Sequence, residues 1–150
     1  MIDDGMLKGH DVFAPLNVDE VHRVSTFSSV KQYKQGDAVY MTGEPASHFF
    51  VLMEGLVYIE LPSEVPGFSI PISKVEKGEL FGTSPLFASP DYTSTARCFE
   101  DTRVLAVDAR PFRELLQQNC SAGMDIMTRI GRIYFTRYLD VIRRLQKVVG

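Results

Sequence analysis

Tryptophan is absent, and 150 residues carry only two cysteines and three histidines. Cys98 and Cys120 lie far apart, with no CxxC pair and no neighbouring histidine, which excludes a disulfide framework and a thiolate metal site. Both are expected to be reduced and buried. His10, His22 and His48 share no ligand spacing, so histidine-ligated metal chemistry lacks its cluster. There is no GxSxG, no Walker loop, and no cysteine paired with a nearby base, so nothing points to hydrolysis or phosphoryl transfer. The chain reads as a non-enzyme. No apolar run approaches the roughly 18 residues of a membrane helix, and Met1 to Gly9 lacks the apolar segment of a signal peptide. A cytoplasmic protein without membrane association is expected. An excess of positive charge is missing too: 16 Lys and Arg against 19 Asp and Glu leave a net charge of −3, which draws no phosphate backbone from a distance.

What is present is ordinary globular composition, 45% hydrophobic and 23% charged, in a length that suits one domain with its own core. Residues 1–12 read as a tail, and 13–150 as a single domain that includes the C-terminal helices. Asn17 stands three positions before Glu20, the reciprocal capping arrangement of a helix start, and a short helix follows to about Phe27. Val18, Val21 and Val24 form its docking face. From Val30 onward, short β-branched and aromatic runs are punctuated by Gly36-Asp37, Gly43-Glu44-Pro45, Glu54-Gly55, Pro66-Gly67 and Lys77-Gly78, the spacing of an antiparallel β domain. His48 to Met53 is nearly all apolar and should be covered on both faces, whereas Val57, Ile59 and Leu61 alternate with polar neighbours. Strands are expected from Ser94 to Phe99 and from Thr102 to Val107. Asp108 then caps a helix with Pro111 in its first turn, and Asn119 to Gly123 breaks it from a long final helix. The fold class is α+β: an antiparallel β-roll of about eight strands, a double-stranded β-helix of jelly-roll type, with an N-terminal helix and two C-terminal helices.

Tyr33-Lys34-Gln35-Gly36-Asp37, Gly43-Glu44, Phe50-Val51-Leu52-Met53-Glu54-Gly55 and Gly78-Glu79-Leu80-Phe81-Gly82 occur in that order. Together they resemble the cyclic-nucleotide-binding domain family, which includes catabolite activator proteins, kinase regulatory subunits and nucleotide-gated channels, over residues 13 to 145. Each glycine also has a plain reading as a tight turn needing positive φ.

The resemblance implies a phosphate cassette at Phe81, Gly82, Thr83 and Ser84 and at Tyr92, Thr93 and Ser94. In the family, a short helix after Phe-Gly-Glu turns its amides to the cyclic phosphate, the glutamate takes the ribose hydroxyl, and an arginine pairs with the phosphate. Thr83 matches that glutamate and Tyr92 that arginine. A phenol offers one neutral hydrogen bond where a guanidinium offers two charge-assisted ones, a loss of roughly 1.5–3 kcal/mol. Arg97, five residues on along a strand, turns to the opposite face and is no substitute. Exchanging Thr83→Glu and Tyr92→Arg should restore affinity for cyclic AMP if this register holds. Core packing is the alternative reading of Phe81 and the favoured one for Leu86 and Phe87. An exposed loop without a ligand is the alternative for Asp91 and Tyr92.

Phe135, Tyr138, Ile142, Leu145 and Val149 recur at steps of three and four, as in a coiled-coil seam, and Ile130, Tyr134, Val141 and Val148 run beside them. One stripe can pack on the β-roll and the other on a second copy, giving a homodimer; burial of both within the chain is the alternative. The resemblance places Arg137 and Tyr138 where the family's helix covers the base. Arg129, Arg132, Arg137, Arg143, Arg144 and Lys147 make the helix basic, either as a solvated face or toward an anionic surface. A DNA-reading motif would need roughly a further 70 residues beyond Gly150, so nucleic-acid binding by this chain alone is not expected.

Two readings follow. One is a regulatory module that senses a cyclic nucleotide or another small anion through an altered cassette and signals by its C-terminal helix to an unidentified downstream protein. The other is a ligand-free domain serving interaction or dimerisation. No cofactor and no metal is assigned.

Overall fold

The computed structural model describes residues 2–149; Met1 and Gly150, the outer bounds of the expected tail and domain, lie outside the described residues. Eight antiparallel strands form two four-stranded sheets. One has the order β1 (Ser28–Tyr33), β8 (Thr102–Asp108), β3 (His48–Glu54), β6 (Leu80–Phe81); the other has β2 (Ala38–Tyr40), β7 (Thr95–Cys98), β4 (Val57–Pro62), β5 (Ser69–Val75). Helices α1 (Asp4–Lys8), α2 (Val18–Thr26), α3 (Ala109–Gln118) and α4 (Cys120–Val149) lie at the chain ends. This is the α+β roll expected.

The period-two alternation of β3 explains why its sequence is almost wholly apolar. Phe49, Val51 and Met53 join the core beneath the helices, with Val21, Val24, Phe112, Leu115, Ile126 and Ile130. Phe50 and Leu52 point into the roll, with Tyr40, Ile59, Phe81 and Val104. Burying each large side chain of this kind contributes about 1.5–3 kcal/mol, so β3 and its partner β8 anchor both layers.

The capping box forms: Glu20 N donates to Asn17 Oδ1 at 2.9 Å, and Asn17 N donates to Glu20 Oε1 at 3.0 Å. The Glu20 carboxylate also accepts from Asn119 Nδ2, while Asn119 Oδ1 accepts from Ala122 N. One asparagine therefore ends α3, caps α4 and ties both to α2. The expected break at 119–123 shrinks to Asn119 alone. Gly123 lies inside α4 because the helices cross so closely that a Cβ there would sit 2.8 Å from the Leu116 carbonyl oxygen.

Other expectations are corrected. Residues 2–12 are no tail: Ile2, Leu7 and Val12 are buried in the helical layer with Phe13, because their apolar side chains cover an otherwise bare face of α2 and α4. Val18 is exposed, since the buried face of α2 centres on Glu20, Val21, Val24 and Ser25 and Val18 stands roughly a quarter-turn from that centre. Cys98 is buried, but Cys120 is exposed at the outer start of α4. Among the described residues, no helix is long and apolar enough to cross a membrane.

Candidate functional site

The chain leaves β6 through Gly82, whose φ of +66° lies in the left-handed region. A Cβ there would come 2.8 Å from Tyr40 and 2.9 Å from Phe50, so only glycine lets the strand pass over this aromatic floor. The expected phosphate-facing helix is a single four-residue 3-10 turn, Ser84–Phe87. Pro85 in its first turn has no N–H, and the Leu86 amide donates back to the Thr83 carbonyl at 2.9 Å. Phe81 and Leu86 are core, while Phe87 is 52% exposed and leans edge-on against Tyr134 with ring centroids 5.8 Å apart. The core reading of Phe87 is thus overturned: its carbon skeleton meets α4 at the surface.

Thr83 is buried, and its hydroxyl hydrogen-bonds the Tyr134 hydroxyl of α4 at 2.6 Å. Tyr92 is buried as well. Its ring stacks on Tyr40 at 4.1 Å, and Tyr40 in turn neighbours Phe50 and Phe81 at 5.8 and 6.2 Å. The Tyr92 hydroxyl donates to the His48 carbonyl at 2.6 Å and accepts from His48 N–H at 3.2 Å. The exposed-loop reading fails for Tyr92, because the aromatic ring finds an apolar stack and the hydroxyl finds two backbone partners, whereas Asp91 is exposed beside it in a bridge with Pro45. Burial pushes the Tyr92 phenol up from its ordinary range, and it pushes Tyr40 up further. Arg97 lies apart, donating to the Gly36 carbonyl and lying 3.8 Å from Glu60.

A cavity of about 360 Å³ opens between this segment, β4, β5 and α4. Of the expected cassette residues, Gly82, Ser84, Thr93 and Ser94 line it; Phe81, Thr83 and Tyr92 do not. From α4 the expected Arg137 and Tyr138 line it, joined by Tyr134 and Val141. Tyr40 and an apolar wall of Ile59, Leu61 and Ile72, with Ser73, were not anticipated as lining. Tyr134 lies one helical turn before Tyr138, and that spacing was the available signal.

Helix α4 is fastened over the cavity at three points. Thr83 and Tyr134 share a hydrogen bond, Arg137 donates to the Leu80 carbonyl at 3.3 Å, and Arg144 donates to the carbonyls of Pro71 and Ile72. Along the helix, Phe135, Tyr138, Leu145 and Val149 are exposed, with Leu145 at 59%, while Ile142 is half-buried. Part of the basic run has local partners, since Arg129 bonds Asp125 and the Asp11 carbonyl and Arg143 lies 3.9 Å from Asp140.

The model of the cyclic nucleotide-binding domain family matches residues 30–119, more than half of the chain. The chain belongs to that family. A Rhodopseudomonas palustris protein described as a putative potassium channel protein is 26% identical over 115 residues, covering 77% of this chain and 27% of its own length. The chain therefore spans about a quarter of that relative. Among solved structures, a Geobacter metallireducens protein assigned to the cyclic nucleotide-binding proteins superposes with a TM-score of 0.78 at 25% identity, covering 92% of this chain and 99% of its own. The sensor domain of the transcriptional regulator DNR from Pseudomonas aeruginosa gives a TM-score of 0.78 at 20% identity, covering 90% of each chain, a likeness of fold. Family membership supports a ligand-sensing regulatory module.

Proposed function

We propose that this domain is a non-catalytic, cytoplasmic sensor whose cavity takes a small anionic molecule and whose response leaves through α4. The observation that carries the reading is the cavity beneath α4, with the cationic Arg137 among its lining residues and bonded to the Leu80 carbonyl beside it. A ligand there competes with the bonds that fasten the helix, so occupancy and helix position are linked.

A cyclic nucleotide fits this donor set poorly. Its phosphate calls for paired charge-assisted donors and its ribose for a strong acceptor. Tyr92 spends its hydroxyl on His48, Thr83 on Tyr134, and Pro85 has no amide to give. The cassette is accordingly degenerate, and the remaining hydroxyls of Ser84, Thr93 and Ser94 favour a different anion. The exposed face of α4 supports a homodimer through Phe135, Tyr138, Ile142, Leu145 and Val149, because a stripe of that extent is otherwise an apolar patch in water. The signal then passes to a downstream protein.

The test is titration calorimetry with cyclic AMP and cyclic GMP, beside a thermal-shift screen of small organic and phosphorylated acids. Dissociation constants above about 100 μM for both nucleotides and a saturable stabilisation by another acid are expected. Submicromolar binding of either nucleotide overturns the degenerate cassette. Failure of every compound favours the second reading, a ligand-free interaction domain, for which the exposed face of α4 is the supporting observation.

A further inference from the structure

Resting on the reading of the cavity as a ligand site, we infer that its ligand is an organic monocarboxylate with a hydrocarbon or aromatic body, whose carboxylate pairs with Arg137. The charge inventory decides the head group. Among the described residues, Arg137 is the only ionised side chain lining the cavity, and no carboxylate lines it. Among the described residues, no acidic side chain lies within ion-pairing distance of Arg137. One of its N–H groups reaches the Leu80 carbonyl at 3.3 Å, which leaves most of the fork for a ligand. The nearby Arg144 is committed to the carbonyls of Pro71 and Ile72 and does not line the cavity.

A planar guanidinium satisfies a carboxylate with two parallel hydrogen bonds. A dianionic phosphate or a dicarboxylate would carry a second charge with no cation to meet it, and burying an unpaired charge against apolar walls is costly. One charge in the site therefore selects one charge on the ligand.

The walls decide the body. Ile59, Leu61, Ile72 and Val141 present branched aliphatic surface, and Tyr134 and Tyr138 contribute ring faces beside Arg137. Pockets of this volume and lining gain affinity from apolar burial and orientation from a few polar groups. Ser73, Ser84, Thr93 and Ser94 can each take or give one neutral hydrogen bond, enough to accommodate a hydroxyl or an indole N–H on the body.

The experiment titrates the full chain with octanoate and indole-3-acetate, with their uncharged amides octanamide and indole-3-acetamide, and with cyclic AMP, by calorimetry and thermal shift. At least one acid should bind about tenfold or more tightly than its amide. Arg137→Gln should abolish that preference, and Arg137→Lys, which keeps the charge but loses the fork, should retain only part of it. Circular dichroism and melting of each unliganded variant verify that the fold survives. Equal binding of acid and amide, or an undiminished preference in Arg137→Gln, overturns the inference. So does the absence of binding by both acids at about 1 mM. If cyclic AMP binds where neither acid does, the ligand class is wrong while the sensor role stands. If the wider screen also yields nothing, the sensor reading falls with it.

Discussion

Replacing Tyr92 separates a structural tyrosine from a displaced phosphate ligand. In Tyr92→Phe the ring still stacks on Tyr40 at 4.1 Å, but the bonds at 2.6 and 3.2 Å to the carbonyl and amide of His48 are lost. Leaving partly buried backbone groups unpaired costs about 1–3 kcal/mol, which for a chain of this size lowers Tm by roughly 3–10 °C. Tyr92→Arg is harsher, because a guanidinium would enter an aromatic stack where the nearby carboxylate is that of the exposed Glu44; a poorly compensated buried charge costs about 3–5 kcal/mol, or roughly 10 °C and more. The double exchange Thr83→Glu and Tyr92→Arg, attractive from sequence alone, should therefore destabilise the protein without creating a cyclic AMP site. Differential scanning calorimetry and nucleotide titration of the three variants check this. A Tyr92→Arg protein melting within about 2 °C of wild type and gaining nucleotide affinity would refute the reasoning, because its side chain would then have to point into the cavity.

Alkaline pH probes the same stack. Burial raises the phenols of Tyr40, Tyr92 and Tyr33, so the unfolded chain releases these protons first. Stability is fully present below about pH 10 and falls above it by about 1.4 kcal/mol per pH unit for each fully shifted group; urea melts from pH 8 to 11 should show the fall, and Tyr40→Phe should make it shallower. Oligomeric state tests the outer face of α4: wild type should be dimeric at tens of micromolar by light scattering. Leu145→Glu, placed at a side chain that is 59% exposed, should give a monomer with little change in Tm, and a wild-type monomer would end the dimer proposal.

The β-roll was legible because turn glycines and alternating apolar strands are local signals. Gly36, Gly43, Gly55, Gly78 and Gly82 all have positive φ, and the Asn17 and Glu20 pair closed as its spacing required. The cassette was legible only in part. Matching positions placed Ser84, Thr93, Ser94, Arg137 and Tyr138 around the cavity, but they could not tell which way Tyr92 turns. A tyrosine's hydroxyl can serve a ligand or satisfy backbone, and its ring gains more from stacking on Tyr40 than from standing in a half-open cleft. The buried N-terminus was missed for a related reason: Ile2, Leu7 and Val12 are too scattered for a periodic signal, and only the assembled helical layer offers them a surface.

Helix α4 joins the two proposed roles because it is continuous. Tyr134, Arg137 and Val141 line the cavity, while Phe135 and Leu145 are exposed on the same element. Each fastening bond contributes about 0.5–1.5 kcal/mol, somewhat more where a guanidinium donates, so the four bonds at these three points hold this part of the helix by only a few kcal/mol. A ligand present at a hundred times its dissociation constant supplies about 2.7 kcal/mol. The two quantities are comparable, so a ligand that takes Arg137 away from the Leu80 carbonyl can shift the position of α4 without unfolding the roll. Asn119, bonded to Glu20 on α2 and capping α4 through Ala122, fixes the other end. In the proposed response the first part of α4, through Ile126 and Ile130 in the core, stays in place, and movement is greatest at the end that carries Leu145 and Val149, where the exposed apolar stripe would report it to a second copy.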